Sequence, residues 1–301
     1  MLVGAQRVLV TGGAGMLGSQ VLLSAPDGTT AVGTDLVEGA GVPAVGVDLA
    51  EREQVAVLFE EQGPFTGVIH TAAYTAVDGA EEEEELALRV NGLACGVLAG
   101  ACAEAGVPLV AVGTDFVFDG TSRRPYRVDD PPNPLSAYGR TKLAGERAAL
   151  EAHPTGTRIV RTQWLYGPRG RHFPGTMRAL AAEREELSVV DDQVGSPTST
   201  LELAPALWDV LASGAPGIYH AACEGSCTWY DLAVAAVEAG LPEGADRARI
   251  VPCTTAEFPR PAHRPPYSVL DCSGLTRLRG RSLSPWREAL MTYLGDSGEE
   301  A

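Results

Sequence analysis

VLVTGGAGMLG, residues 8–18, is the stretch on which the fold turns. A β-rich apolar run passes straight into Gly12, Gly15 and Gly18 at three-residue spacing, and an apolar helical stretch continues to about residue 25. The three missing side chains have separate uses. Gly12 permits the tight turn, Gly15 lets backbone approach a pyrophosphate, and Gly18 allows close helix–sheet packing. Oriented N–H groups at the helix start complete an anion cradle. Glycines at this spacing are weak evidence alone, but here they follow a strand and open a helix, which points to a dinucleotide.

The same alternation continues downstream. TAVGTD is followed by a helical stretch at 50–62, GVIHTA by 80–105, PLVAVGT by 136–152, and then comes TRIVRT. This predicts an α/β fold with a Rossmann-like, doubly wound parallel sheet. After about residue 165 proline and glycine punctuate the chain, and amphipathic helices are predicted at 200–213, 228–240 and 284–295. They form a smaller C-terminal part over the open sheet.

Composition narrows the function classes. A formal charge of -16 and a pI near 4.7 remove counterion release as a driving force, which argues against nucleic acid and anionic membranes as partners. The opening MLVGAQRVLVTGG reaches glycines too soon for a secretory or membrane-spanning segment, so a soluble cytoplasmic protein is expected. Six scattered cysteines do not make a disulfide framework, and Cys223, Cys227 and His220 lack the second spaced pair usual in zinc sites, so no metal is expected. The acidic run Glu81 to Glu85 reads as a solvated helix start.

Candidate site residues follow the strand ends. Asp35 closes the second strand, where a carboxylate accepts hydrogen bonds from an adenosine ribose and repels a 2′-phosphate. Asp48 and Leu49 are candidates for an adenine pocket. In HTAAY, residues 70–74, the small Ala72 and Ala73 leave room for a cofactor alongside Tyr74, while His70 reads as a packed strand-end histidine. Asn91 is placed to brace backbone near the site.

Lys142 is the single lysine in the chain and follows Tyr138 by four residues, so on a helix the two share a face about 6 Å apart along the axis. An ammonium about 4 Å from a phenolate offers up to about 4 kcal/mol at an effective dielectric near 20, or about three pKa units, before desolvation. A tyrosine so primed protonates a ketone oxygen as hydride reaches carbon. Thr114, at the end of GTDFVFDG's strand, has a hydroxyl that can polarise the same carbonyl.

Taken together, TAAYTAVDGAE, GTDFVFDG, SAYGRTKLAGE, RTQWLYG, DDQVGSPT, GIYHAACEGSCTWYDLA and RPPYSVLD resemble, in order, the successive blocks of the dTDP-4-dehydrorhamnose reductases of the extended short-chain dehydrogenase/reductase family. The resemblance implies a triad of Thr114, Tyr138 and Lys142. It implies NADPH or NADH as cofactor, contacted also by Met16 and Leu17, and a dTDP-sugar pocket involving Asp115, Trp164, Gln193, Ser196 and Arg264. The implied reaction is reduction of the C4 ketone of dTDP-4-dehydro-6-deoxy-L-mannose to dTDP-L-rhamnose. A dinucleotide part at 1–165, with a returning segment at about 197–225, and a substrate part at 166–196 and 226–301 are expected, as is a homodimer. Phe116, Gln163 and Tyr267 depart from the family's commoner residues. Two other readings remain: a nucleotide-sugar epimerase or dehydratase of the same fold, although dehydratases need an acid where Phe116 stands, and a regulatory subunit resembling the methionine adenosyltransferase β subunit.

Overall fold

The computed structural model describes residues 6–239 and 248–296, so the outermost ends of both expected parts and the last residue of the 228–240 helix lie outside the described residues. The first half alternates strand and helix: β1 (Gln6–Thr11), α1 (Met16–Leu23), β2 (Thr29–Asp35), β3 (Ala44–Val45), α2 (Arg52–Gln62), β4 (Gly67–His70), α3 (Glu84–Leu88), α4 (Ala94–Ala105), β5 (Leu109–Thr114), α5 (Ala137–Ala152) and β6 (Thr157–Thr162). A π-helical turn, Arg89–Leu93, joins α3 to α4. The second half contains β7 (Leu165–Tyr166), α6 (Phe173–Glu183), β8 (Glu186–Val190), β9 (Val194–Gly195), β10 (Thr198–Ser199), α7 (Thr200–Ser213), β11 (Gly217–His220), β12 (Cys227–Thr228), α8 (Trp229–Glu238), β13 (Arg249–Cys253), α9 (Ser273–Arg279) and α10 (Trp286–Asp296).

Seven strands form one sheet in the order β11-β6-β5-β4-β1-β2-β3, every neighbouring pair parallel. This is the doubly wound arrangement expected from the sequence. Because successive side chains point to opposite faces, Val8 and Val10 enter the core shared with α1 and α7, while Leu9 enters the one shared with α2 and α4. Both faces are covered, which is why the strand reads as unbroken apolar sequence rather than alternation.

The second half adds only two-stranded pieces, β7 with β10, β9 with β12 and β8 with β13. Leu187 and Val189 of β8 pack with Ala233 of α8 and, from α6, Met177 and Leu180. One core nevertheless runs from the sheet into α8 and α10 through Leu232, Ala236, Trp286 and Leu290. Among the described residues, the helical run Glu84–Ala105 has the length and hydropathy of a membrane span. Its apolar residues Leu98, Ala99 and Cys102 are buried beneath the sheet and against α5, the packing of a core helix.

Candidate active site

The strand order reverses between β1 and β4, and open α/β sheets bind ligands at the carboxyl ends of the strands at such a point. A cleft of about 700 Å³ lies there. The turn after β1 brings Gly12, Gly15, Met16 and Leu17 to it. The end of β2 and the segment after β3 bring Asp35, Asp48 and Leu49, the one after β4 Ala72 and Ala73, the end of β5 and the turn beyond it Thr114 and Asp115, and α5 Tyr138 and Lys142. Trp164 and Arg264 line the far side.

Four expected site residues stand behind the lining instead. Asn91, set by the π-helical turn, accepts from Tyr74 N–H at 2.9 Å and donates to Tyr74 O at 3.1 Å and Thr141 Oγ1 at 3.2 Å, so it braces the backbone there. Tyr74 turns its hydroxyl to Glu83 at 2.7 Å. Gln193 donates to Thr255 and accepts from Trp229, and Ser196 donates to Gly225 O at 2.6 Å.

The glycine-rich turn fits a dinucleotide. Gly12 has φ +69°, and a Cβ there would lie 2.7 Å from Ala72 N, while a Cβ on Gly18 would lie 2.0 Å from Gly12 O. Side chains are thus excluded where the first helix approaches the turn. The α1 N-terminus has no side-chain cap, which leaves its amides directed to the cleft for a phosphate group. Asp35 is anchored beside them, its Oδ2 accepting from Ala14 N–H at 3.0 Å and its Oδ1 from Leu36 N–H at 2.7 Å. Asp48 is held by Arg89 at 2.8 Å and by Ala50 N–H, which keep its carboxyl below the usual range.

The helix that carries Tyr138 is fixed at its start. Ser136 Oγ accepts from Gly139 N–H, Glu81 accepts from Ala137 N–H at 2.8 Å, and Glu84 takes both sides of the Arg140 fork at 2.8 and 2.9 Å. The acidic run is therefore not simply a solvated helix start. Glu81 and Glu84 each hold a partner on α5, against which α3 packs, and Glu83 takes the nearby Tyr74 hydroxyl.

Lys142 is buried, not solvated, and its Nζ donates to Val112 O at 2.7 Å. Burial lowers its pKa, while Cys95 and Glu146 act the other way. The Glu146 carboxylate is itself committed to Arg161, with contacts of 2.8–3.1 Å. Tyr138 opens partly onto the cleft, yet burial pushes it up to about 12, opposed by a hydrogen bond from Thr114 and reinforced by the charge of Asp115. The depression by Lys142 expected from spacing alone is absent from this geometry, since the ammonium is drawn to a strand carbonyl and desolvation dominates. His70 bonds Thr11 Oγ1 through Nδ1 at 2.7 Å, and burial, then the Lys142 charge, pulls it down to about 3, so it stays neutral. Asp115 is pushed up to about 7 by burial.

On the far wall Trp164 sits at φ +49°, a strained position for a bulky residue, and stacks on Trp229 with ring centroids 3.6 Å apart. Arg264 grips Asp78 through both nitrogens at 3.0 Å; burial raises the Asp78 carboxyl, but this bond and those of Ala262 and Arg260 outweigh it. Trp229, Arg171 and Gln163 line the cleft without having been assigned there from sequence. Gln163 was noticed only as a departure from a resembling family; Trp229 carries the local signal of a capping box beginning at Thr228.

Residues 6–298 match the model of the RmlD substrate binding domain. The chain belongs to that family. It is 44% identical over 297 residues to a dTDP-4-dehydrorhamnose reductase of Streptomyces griseus, covering 94% of this chain and 91% of the relative. The solved dTDP-4-dehydrorhamnose reductase of Clostridium acetobutylicum superposes with a TM-score of 0.87 at 38% identity, over 96% of this chain and 99% of the other. That of Bacillus anthracis, solved in complex with NADP, gives 0.88 at 33% identity, over 97% and 99%. Family membership thus accompanies a cleft whose cradle and strand-end groups suit a nicotinamide dinucleotide.

Proposed function

We propose that this chain reduces the C4 ketone of a dTDP-4-dehydro-6-deoxyhexose, converting dTDP-4-dehydro-6-deoxy-L-mannose to dTDP-L-rhamnose with NADPH or NADH as reductant. The observation that carries the reading is the meeting of Thr114, Tyr138 and Lys142 at the rim of a glycine-rich cradle. The dinucleotide, when bound, supplies hydride. The Tyr138 hydroxyl delivers a proton to the ketone oxygen, and Thr114 steadies that oxygen with its own hydroxyl. Lys142, pinned to Val112 O through one N–H, keeps its other two donors for the nicotinamide ribose. Neutral His70 adds no competing charge. NADH is the preferred reductant on this reading: Asp35 lines the cleft at the end of β2, where its charge would repel a 2′-phosphate, and the following Leu36, Val37 and Glu38 offer no cation for one.

The division into a dinucleotide part (1–165 with about 197–225) and a substrate part (166–196 and 226–301) belongs to the same proposal, as do a cytoplasmic location and a homodimer. For the dimer we assign the face between α4 and α5, where Leu88 and Leu93 are half exposed over the small Gly96, Ala144 and Ala148. Sedimentation of the parent chain as a monomer would remove that assignment.

The functional test is turnover of dTDP-4-dehydro-6-deoxy-L-mannose by the purified chain. One cofactor oxidised per ketone consumed is the expected result. Turnover without net oxidation would indicate an epimerase, and no turnover would indicate a dehydratase or a regulatory subunit.

A further inference from the structure

Three buried atoms in the residues lining the cleft have no hydrogen-bond partner: Asp115 Oδ2, Thr162 Oγ1 and Gln163 Nε2. Asp115 and Gln163 are 1% and 2% exposed. Bare polar groups at such depth are costly, so they mark places that a ligand completes. Strands β5 and β6 pair in register with Thr114 opposite Thr162, and Asp115 and Gln163 each lie one residue beyond that pair. The two residues therefore leave neighbouring strands side by side, next to the groups that hold the ketone.

The orientation of the Gln163 amide is decided by its partners. Its Oε1 accepts from Ser196 N–H at 3.0 Å and from the Ser268 hydroxyl at 3.2 Å, and a backbone N–H can only donate. The amide nitrogen must then be the free end. Gly195 keeps that arrangement open, because a Cβ there would lie 2.8 Å from Gln163 Oε1 and 2.5 Å from the Trp164 ring.

We propose that Gln163 is a specificity-determining residue and that with Asp115 it reads a single sugar hydroxyl, the one on C3 beside the ketone: Gln163 Nε2 donates to the hydroxyl oxygen, and Asp115 Oδ2 accepts its proton. The assignment rests on the dTDP-sugar reading above. A hydroxyl both accepts and donates, which matches one free donor and one free acceptor. A sugar without it would leave both groups bare, the situation in which sites discriminate most strongly.

Calorimetry with dTDP-L-rhamnose and with dTDP alone tests this. Gln163→Glu keeps an oxygen facing Ser196 but replaces the donor with a second carboxylate beside Asp115; it should bind dTDP-L-rhamnose about tenfold or more weakly, with dTDP binding unchanged. Adding Asp115→Asn to that variant restores one donor and one acceptor and should recover affinity over Gln163→Glu alone. The parent chain should lose a similar factor when the ligand is a 3-deoxy sugar nucleotide. Equal binding of dTDP-L-rhamnose by parent and Gln163→Glu, or of the 3-deoxy ligand and the full sugar by the parent, would overturn the pairing. A parent that binds dTDP-L-rhamnose no better than dTDP, and reduces no dTDP-4-dehydro sugar, would instead overturn the functional reading.

Discussion

Along the sheet wall of the cleft, Asp115, Thr162 and Gln163 leave the strand ends with polar atoms free, whereas on the opposite wall Gln193 joins Trp229 to Thr255 and Arg264 grips Asp78. The difference follows from what holds each wall. Seven parallel strands already fix the backbone from which Thr114 and Gln163 project, so side chains there are available for chemistry. The far wall rests on two-stranded pieces, and its polar groups serve to keep its own shape. Groups that act on substrate should therefore lie on the sheet side, and groups that shape the pocket on the other.

The sharpest way to break that contrast is at Tyr138. Tyr138→Phe should lower kcat by about a hundredfold to ten-thousandfold with binding of dTDP-L-rhamnose little changed, as steady-state kinetics and calorimetry would reveal. Next in size is the support under the sheet wall. Arg161→Met leaves Glu146 charged and buried without a partner and should cost about 3–5 kcal/mol in urea unfolding; an unchanged midpoint would mean that this ion pair does not secure α5.

A smaller effect is expected from pH. Burial raises the Asp115 carboxyl from its usual range up to about 7, so between about pH 4 and 7 the folded chain keeps a proton that the unfolded chain has lost. Its contribution to stability falls as pH rises through that window. Buried His70 and His220, pulled down to about 3, act in the opposite sense between about pH 3 and 6.5. Asp115→Asn should thus make stability climb more steeply from pH 4 to 7, by at most about 1.4 kcal/mol per pH unit, in urea titrations at stepped pH. The smallest change belongs to the far wall: Gln193→Leu should cost about 1–3 kcal/mol of stability and raise KM for the sugar while leaving kcat nearly intact. A large fall in kcat would place chemistry on the wrong wall.

The sheet wall was largely legible in the sequence. Strand, glycine turn and helix follow each other within residues 8–18, and Tyr138 and Lys142 are one helical turn apart, so local spacing sets their geometry. The far wall was not. Asp78 and Arg264 meet across 186 residues, and Gln193 and Trp229 across 36, pairings that no local periodicity encodes. Local spacing also misjudged electrostatics: it placed the ammonium near the phenol but could not foresee that Val112 O captures it or that burial would raise Tyr138. Gln163 escaped for a related reason. Its importance lies in a nitrogen left free after Ser196 and Ser268 have claimed the oxygen, and those partners come from later in the chain.

The most direct test of ketone reduction at this site follows the label. The chain would be incubated with dTDP-4-dehydro-6-deoxy-L-mannose and NADH carrying deuterium at the transferable position, and the product examined by NMR. Deuterium at C4 of dTDP-L-rhamnose, lost with Tyr138→Phe, is the predicted result. Sugar recovered without deuterium at C4, or labelled equally well by Tyr138→Phe, would contradict it.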